Sequence, residues 1–203
     1  MTDFITYFII FTIGIMGLMK YESFNNDLTY VESSIDNKKH LVRNLPDKNQ
    51  AADRLAKIKE NLLILIEKLN IENMSNGNVD EAINRLLKKF NHNSISETVK
   101  GSKHTSYSIN KGEKIVMCLR SRDEEEKLQD TNILMFVAIH EMAHVMTKSI
   151  GHTKEFWSNF KRLLKEAVLI GIYNPIDYSS KPKQYCGMTV TDSPYFDPTI
   201  KSE

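Results

Sequence analysis

Cysteine is nearly absent: the 203 residues contain two, Cys118 and Cys186, in no Cys-x-x-Cys spacing. That excludes a disulfide-dense scaffold and a thiolate zinc knuckle; the simplest account is two free thiols in a reducing compartment, with a bridge between them the alternative if the domain faces an oxidising space. An excess of one charge is lacking as well, because 27 Lys and Arg stand against 26 Asp and Glu for a formal net charge of +1. Such a balance gives no general electrostatic pull toward nucleic acid or acidic lipid. The acidic stretch 123–126 and the pair Lys181 and Lys183 read as solvated surface. Internal repeats and long low-complexity tracts are missing, and a chain of this length closes one well-buried core rather than two.

Long hydrophobic runs are rare, with one exception. Residues 4–19, FITYFIIFTIGIMGLM, are uncharged and bracketed by Asp3 and Lys20. At a helical rise of about 1.5 Å per residue they reach roughly 24 Å, near the lower limit for a bilayer core of about 30 Å. Asp3 precedes the run, and Tyr21, Glu22 and Phe24 come after it in place of a small-residue cleavage site, so retention is expected rather than a cleaved signal. The expectation is a single-pass N-terminal transmembrane helix over residues 1–22. Lys20, Lys38, Lys39 and Arg43 on its C-terminal side put the remainder in the cytosol.

From residue 30 onward the chain alternates between short mixed runs and amphipathic stretches. Turn-favouring Asp36-Asn37-Lys38 between residues 30–35 and 39–43 predicts a small hairpin. After Pro46, Ala51, Leu55, Ile58, Leu62, Leu65 and Leu69 recur at spacings of three and four, the signature of an amphipathic helix. Asn76-Gly77-Asn78 breaks it, and a second helix is expected over residues 79–90. Residues 105–109 and 114–119 enclose Asn110-Lys111-Gly112-Glu113, a second hairpin. His40, His92 and His104 stand alone and read as surface or capping residues.

The chemistry lies further on. Asp130-Thr131-Asn132 offers capping side chains before an apolar run that continues into His140-Glu141-Met142-Ala143-His144 and stops at Gly151. Two histidines four apart lie about 40° around a helix and one turn along it, so both imidazoles can reach one zinc ion. Glu141 stands beside them, where a carboxylate can act as general base. Charged and imidazole groups in so apolar a helix are costly to bury without a partner. A catalytic zinc takes three protein ligands. His152, beyond Gly151 and before the helix that Thr153 opens, is the first candidate for the third; Glu155 and Glu166 are the alternatives. For an oxyanion donor, Tyr185 is a candidate beside Tyr173, Tyr178 and Tyr195, and Cys186 reads as buried and inert.

The run HEMAHVMTKSIGHTKEFW resembles the HExxH, spacer, third-His pattern of the WLM, SprT/Spartan-like and YgjP-like zincin metallopeptidases. Its seven-residue spacer between His144 and His152 is longer than is usual in WLM proteins. Residues 107–120, with NKGEKIVMCLR, and Tyr185-Cys186-Gly187-Met188 are similar to WLM-like proteins of large DNA viruses and algae. The resemblance implies His140, His144 and His152 as ligands of Zn2+, Glu141 as catalytic base, and Phe156 and Trp157 as the seat of the third ligand. It further implies an α+β zincin-like fold, with the active-site helix on a small sheet, in one domain over residues 23–203 whose motif-bearing part is about 95–203. The expected activity is hydrolysis of a protein or peptide substrate. The competing expectation is a membrane-tethered zinc-binding interaction protein without turnover. The DNA-linked substrates of Spartan-like proteins are not carried over, because no DNA-binding module is evident.

Overall fold

The computed structural model describes residues 2–75 and 80–201. Helix α1 (Thr2–Asp27) leads into an antiparallel hairpin, β1 (Leu28–Glu32) and β2 (Lys39–Arg43), turned by Asn37 at a positive φ of 51°. Helices α2 (Lys48–Ser75) and α3 (Glu81–Lys89) occupy the connection to β3 (Ile95–Glu97), which pairs parallel with β2. A parallel pair needs such a crossover. A second hairpin, β4 (Tyr107–Ile109) and β5 (Lys114–Met117), completes a five-stranded sheet in the order β1-β2-β3-β5-β4. Then come α4 (Thr131–Met146), α5 (Lys154–Leu169) and a small separate hairpin of β6 (Lys183–Tyr185) and β7 (Met188–Val190).

The architecture is α+β, and its core reflects the periodicities. The α2 stripe from Ala51 to Leu69 is fully buried against β1, β2, β3 and α4. Helix α4 is apolar on nearly every face because it is surrounded: α5, α3, α2 and β4 all pack on it. Asp130 starts it by accepting from Asn132 N at 2.9 Å, and Asp80 caps α3 by accepting from Ala82 N and Ile83 N. The break expected at Asn76-Gly77-Asn78 lies outside the described residues.

Two expectations are corrected. Among the described residues no helix is long and apolar enough to cross a membrane, so the N-terminal transmembrane helix and the membrane localisation are not upheld. The physical reason is reach. The uncharged run within α1 is 16 residues, about 24 Å of helix against a hydrocarbon core of about 30 Å, and Asp3 and Lys20 bound that run inside the same helix. The cytosolic placement rested on that anchor and falls with it. The cysteines are not free thiols either: Cys118 and Cys186 form a disulfide with their Cα atoms 6.3 Å apart. The two lie 68 positions apart, and nothing local in the sequence announces their meeting.

One end of the sheet holds a buried ionic network that composition alone does not reveal. Glu97 on β3 is 1% exposed; its carboxylate accepts from Arg43 N at 2.7 Å and Arg120 Nε at 2.8 Å. Arg120 also donates to Asp47 at 2.7 Å, and Arg43 to Glu126 at 2.8 Å, so Glu126 leaves the solvated acidic run to join the network. Burial pushes the Glu97 carboxyl pKa up, against the pull of Arg43 and Arg120. Removing one partner of such a set strands a buried charge. Glu97→Ala is expected to cost about 3 kcal/mol or more in denaturant unfolding; a loss within experimental error would show that the network carries no such weight. Reduction of the disulfide opens a long loop and is expected to lower stability by roughly 2–4 kcal/mol, measured by the same unfolding with and without a dithiol.

Candidate metal centre and cleft

Helix α4 presents His140 and His144 one turn apart, and the chain must double back within seven residues to bring a third imidazole to them. It does so through Thr147, which ends α4, and Gly151, whose φ of 82° lies in the left-handed region, to Thr153, which caps α5 by accepting from Phe156 N. His152 arrives with its Nε2 3.2 Å from that of His140 and 3.2 Å from that of His144, while the first two are themselves 3.2 Å apart.

Three nitrogens at equal separations form a triangle that ring protons cannot satisfy by hydrogen bonding around it. Ligands at tetrahedral angles and about 2.0–2.1 Å from a zinc ion would stand roughly 3.3–3.4 Å apart. The triad therefore could hold a metal ion, and among the described residues it is the cluster whose donor atoms converge in this way. The all-nitrogen donor set fits zinc. Phe156, fully buried on α5, forms a common floor, its ring centroid 4.9, 4.4 and 4.6 Å from those of His140, His144 and His152. Trp157 lies beside His152, the ring centroids 5.5 Å apart and the planes tilted by 49°.

Electrostatics favour ligation. Burial, with the neighbouring histidines, lowers the His140 pKa to about 3, and burial with the charges of His152 and Lys111 lowers that of His144 to about 4. Both rings are neutral near pH 7, the form that binds metal. Glu141 is 5% exposed, and burial raises its carboxyl to about 7, partly opposed by a hydrogen bond from the Ser108 backbone on edge strand β4.

All four side chains line one cleft of about 520 Å³. Phe136, Val137, Met188 and Val190 give it an apolar wall, and Lys111 and Asp192 stand at its polar margins. Tyr185 also lines it, but its hydroxyl donates to Cys118 O at 2.9 Å and lies 2.8 Å from Ser106 Oγ, so it is engaged in holding the β6–β7 wall. Tyr173, Tyr178 and Tyr195 do not line the cleft. Glu155 turns away from the triad to accept from Lys148 N and Ser149 N, and Glu166 lies toward Lys68. His40 is bonded to Asp36.

A WLM domain family model matches residues 33–196 of the chain. Similar proteins include an uncharacterised protein of Acanthamoeba polyphaga mimivirus, 34% identical across 95% of this chain and 98% of its own length. Uncharacterised proteins of Invertebrate iridescent virus 6 and Invertebrate iridescent virus 3 are 36% and 41% identical; they align with 50% and 41% of this chain, and with 56% and 50% of their own lengths. No solved structure matches.

The buried carboxyl has a thermodynamic signature in metal-free protein. Its pKa rises from 4.5 to about 7 on folding, so between those values the native state keeps a proton that the unfolded chain releases. Stability from this group is present below about pH 4.5 and is lost as pH rises through 7. The two histidines act oppositely, losing stability as pH falls below 6.5, but they are common to parent and variant. Glu141→Gln is thus expected to be more stable than the parent at pH 8 by about 3 kcal/mol, with the gain vanishing near pH 4.5. Equal melting curves at both pH values would contradict the raised pKa.

Proposed function

From the premise that the chain belongs to the WLM domain family, a zincin-like peptidase family, we propose that it is a zinc-dependent metallopeptidase acting on a protein or peptide substrate. The observation that carries this reading is the triangle of His140, His144 and His152 opening into the same cleft as the buried Glu141. His140, His144 and His152 would hold the metal through their Nε2 atoms. A zinc ion bound there would supply a Lewis acid that polarises a scissile carbonyl and makes water far more acidic.

Glu141 is the general base. It takes a proton from the attacking water and returns it to the leaving amine. No covalent bond to the protein forms. The apolar wall of Phe136, Val137 and Val190 receives a substrate side chain and keeps bulk water off the reacting carbonyl. Tyr185, its hydroxyl bonded to Cys118, acts as wall rather than donor.

Metal content and peptidase activity of the full chain and of Glu141→Gln, assayed together, test the reading. Zinc near one per chain in both, with hydrolysis about 10²–10⁴-fold slower in the variant, is the expected result. Zinc in both without hydrolysis would favour a zinc-binding interaction protein, and absence of zinc would sink the proposal.

A further inference from the structure

The third imidazole is the weak point of the centre. His140 and His144 are fixed by a buried helix, whereas His152 is exposed and carried by the 147–152 segment, which has no strand or helix of its own. Something outside that segment has to set its path, and the structure supplies it from both sides.

On one side stands Lys111 at the tip of the β4–β5 hairpin. Its ammonium donates to three successive carbonyls, Thr147 O at 2.8 Å, Lys148 O at 2.7 Å and Ser149 O at 3.0 Å. An ammonium has three donors, and all three are used. The cation also faces the C-terminal end of α4, where the helix dipole favours positive charge. On the other side, the Glu155 carboxylate accepts from Lys148 N at 2.8 Å, Ser149 N at 3.0 Å and Ser149 Oγ at 2.8 Å. The peptide groups between Thr147 and Ser149 are thus gripped through their oxygens by a cation and through their hydrogens by an anion.

The hairpin is built to deliver that lysine. Lys111 itself has a φ of 52°, and Gly112 comes next at 109°. A Cβ on Gly112 would meet Lys89 O at 2.8 Å and Val145 Cγ1 at 2.9 Å, so the backbone of the tip lies directly on the ends of α3 and α4. Only glycine permits that approach. A turn whose sole task was to reverse β4 into β5 would need neither the contact with α4 nor a lysine with every donor engaged.

We infer that Lys111 is a positioning residue for metal binding: with Glu155 opposite, it clamps the segment that carries His152 and so presets the third ligand. The inference rests on the metal-binding reading of the triad. Lys111 lines the cleft beside His144, but its saturated ammonium is not offered to substrate.

The test is zinc affinity, read by competition with a chromophoric chelator, in the parent, Lys111→Met, Lys111→Arg and Glu155→Gln, with melting of each metal-free protein alongside. Outer partners of ligands typically govern affinity by 10–100-fold. Lys111→Met is expected to bind zinc about tenfold to a hundredfold more weakly, Lys111→Arg to recover most of that loss, and the Co2+ absorption bands of the methionine variant to change as the third ligand loosens. Should Lys111→Met fail to fold, Glu155→Gln carries the test, its expected weakening arising from the same segment. A parent that binds zinc while Lys111→Met and Glu155→Gln bind it equally well overturns this inference and leaves the proposed function standing. A parent that takes up no zinc overturns both.

Discussion

Two imidazoles one turn apart on a helix define an edge, and a third nitrogen at the same distance from both requires the chain to reverse and return to the face it has just left. Much of the molecule is organised around that requirement. Helix α4 is buried on almost every side, so its histidines cannot shift to meet an ill-placed partner. Helix α5 must start at a set point, which the Thr153 cap provides, so that Phe156 comes to rest under all three rings. The sheet contributes through its edge: β4 gives the Ser108 N–H to Glu141, and the turn after it gives Lys111 to the returning chain. Base and ligand segment are therefore steadied by the same hairpin.

The opposite end of the sheet carries a different load. Glu97, Arg43, Arg120, Asp47 and Glu126 join strands β2 and β3 to the start of α2 and to the chain leaving β5. The buried members, Glu97, Arg43 and Arg120, are costly to bury and are held by geometry rather than by any gain over an apolar filling. Both ends of the sheet thus rely on cations that reach carbonyls or carboxylates far away in sequence, and the apolar middle supplies most of the burial.

The parts of this arrangement that were legible in the sequence are those encoded locally. The stripe from Ala51 to Leu69, the Asp130 cap, the His140–His144 spacing and the glycine and threonine flanking His152 each state their meaning within a turn or two of helix. What was not legible depends on distant partners. Strand β3 is three residues long, too short to show a period. Glu97 meets Arg43 across 54 positions, and Lys111, which reads as a turn residue, meets Thr147 across 36. The N-terminal segment misled in another way: its apolar composition is unmistakable, but crossing a bilayer is set by length, which the run between Asp3 and Lys20 does not reach.

The bond between Cys118 and Cys186 makes a covalent ring of the chain between them, and His140, Glu141, His144 and His152 all lie within it. A cut at any single peptide bond inside the ring opens it without separating the molecule. The bend at Ile150 and Gly151, beside the cleft, is exposed, and a cut there falls between the second histidine and the third. A nicked molecule would run as one species until reduced and as two fragments afterwards, with two of the three histidines on one fragment and the third on the other.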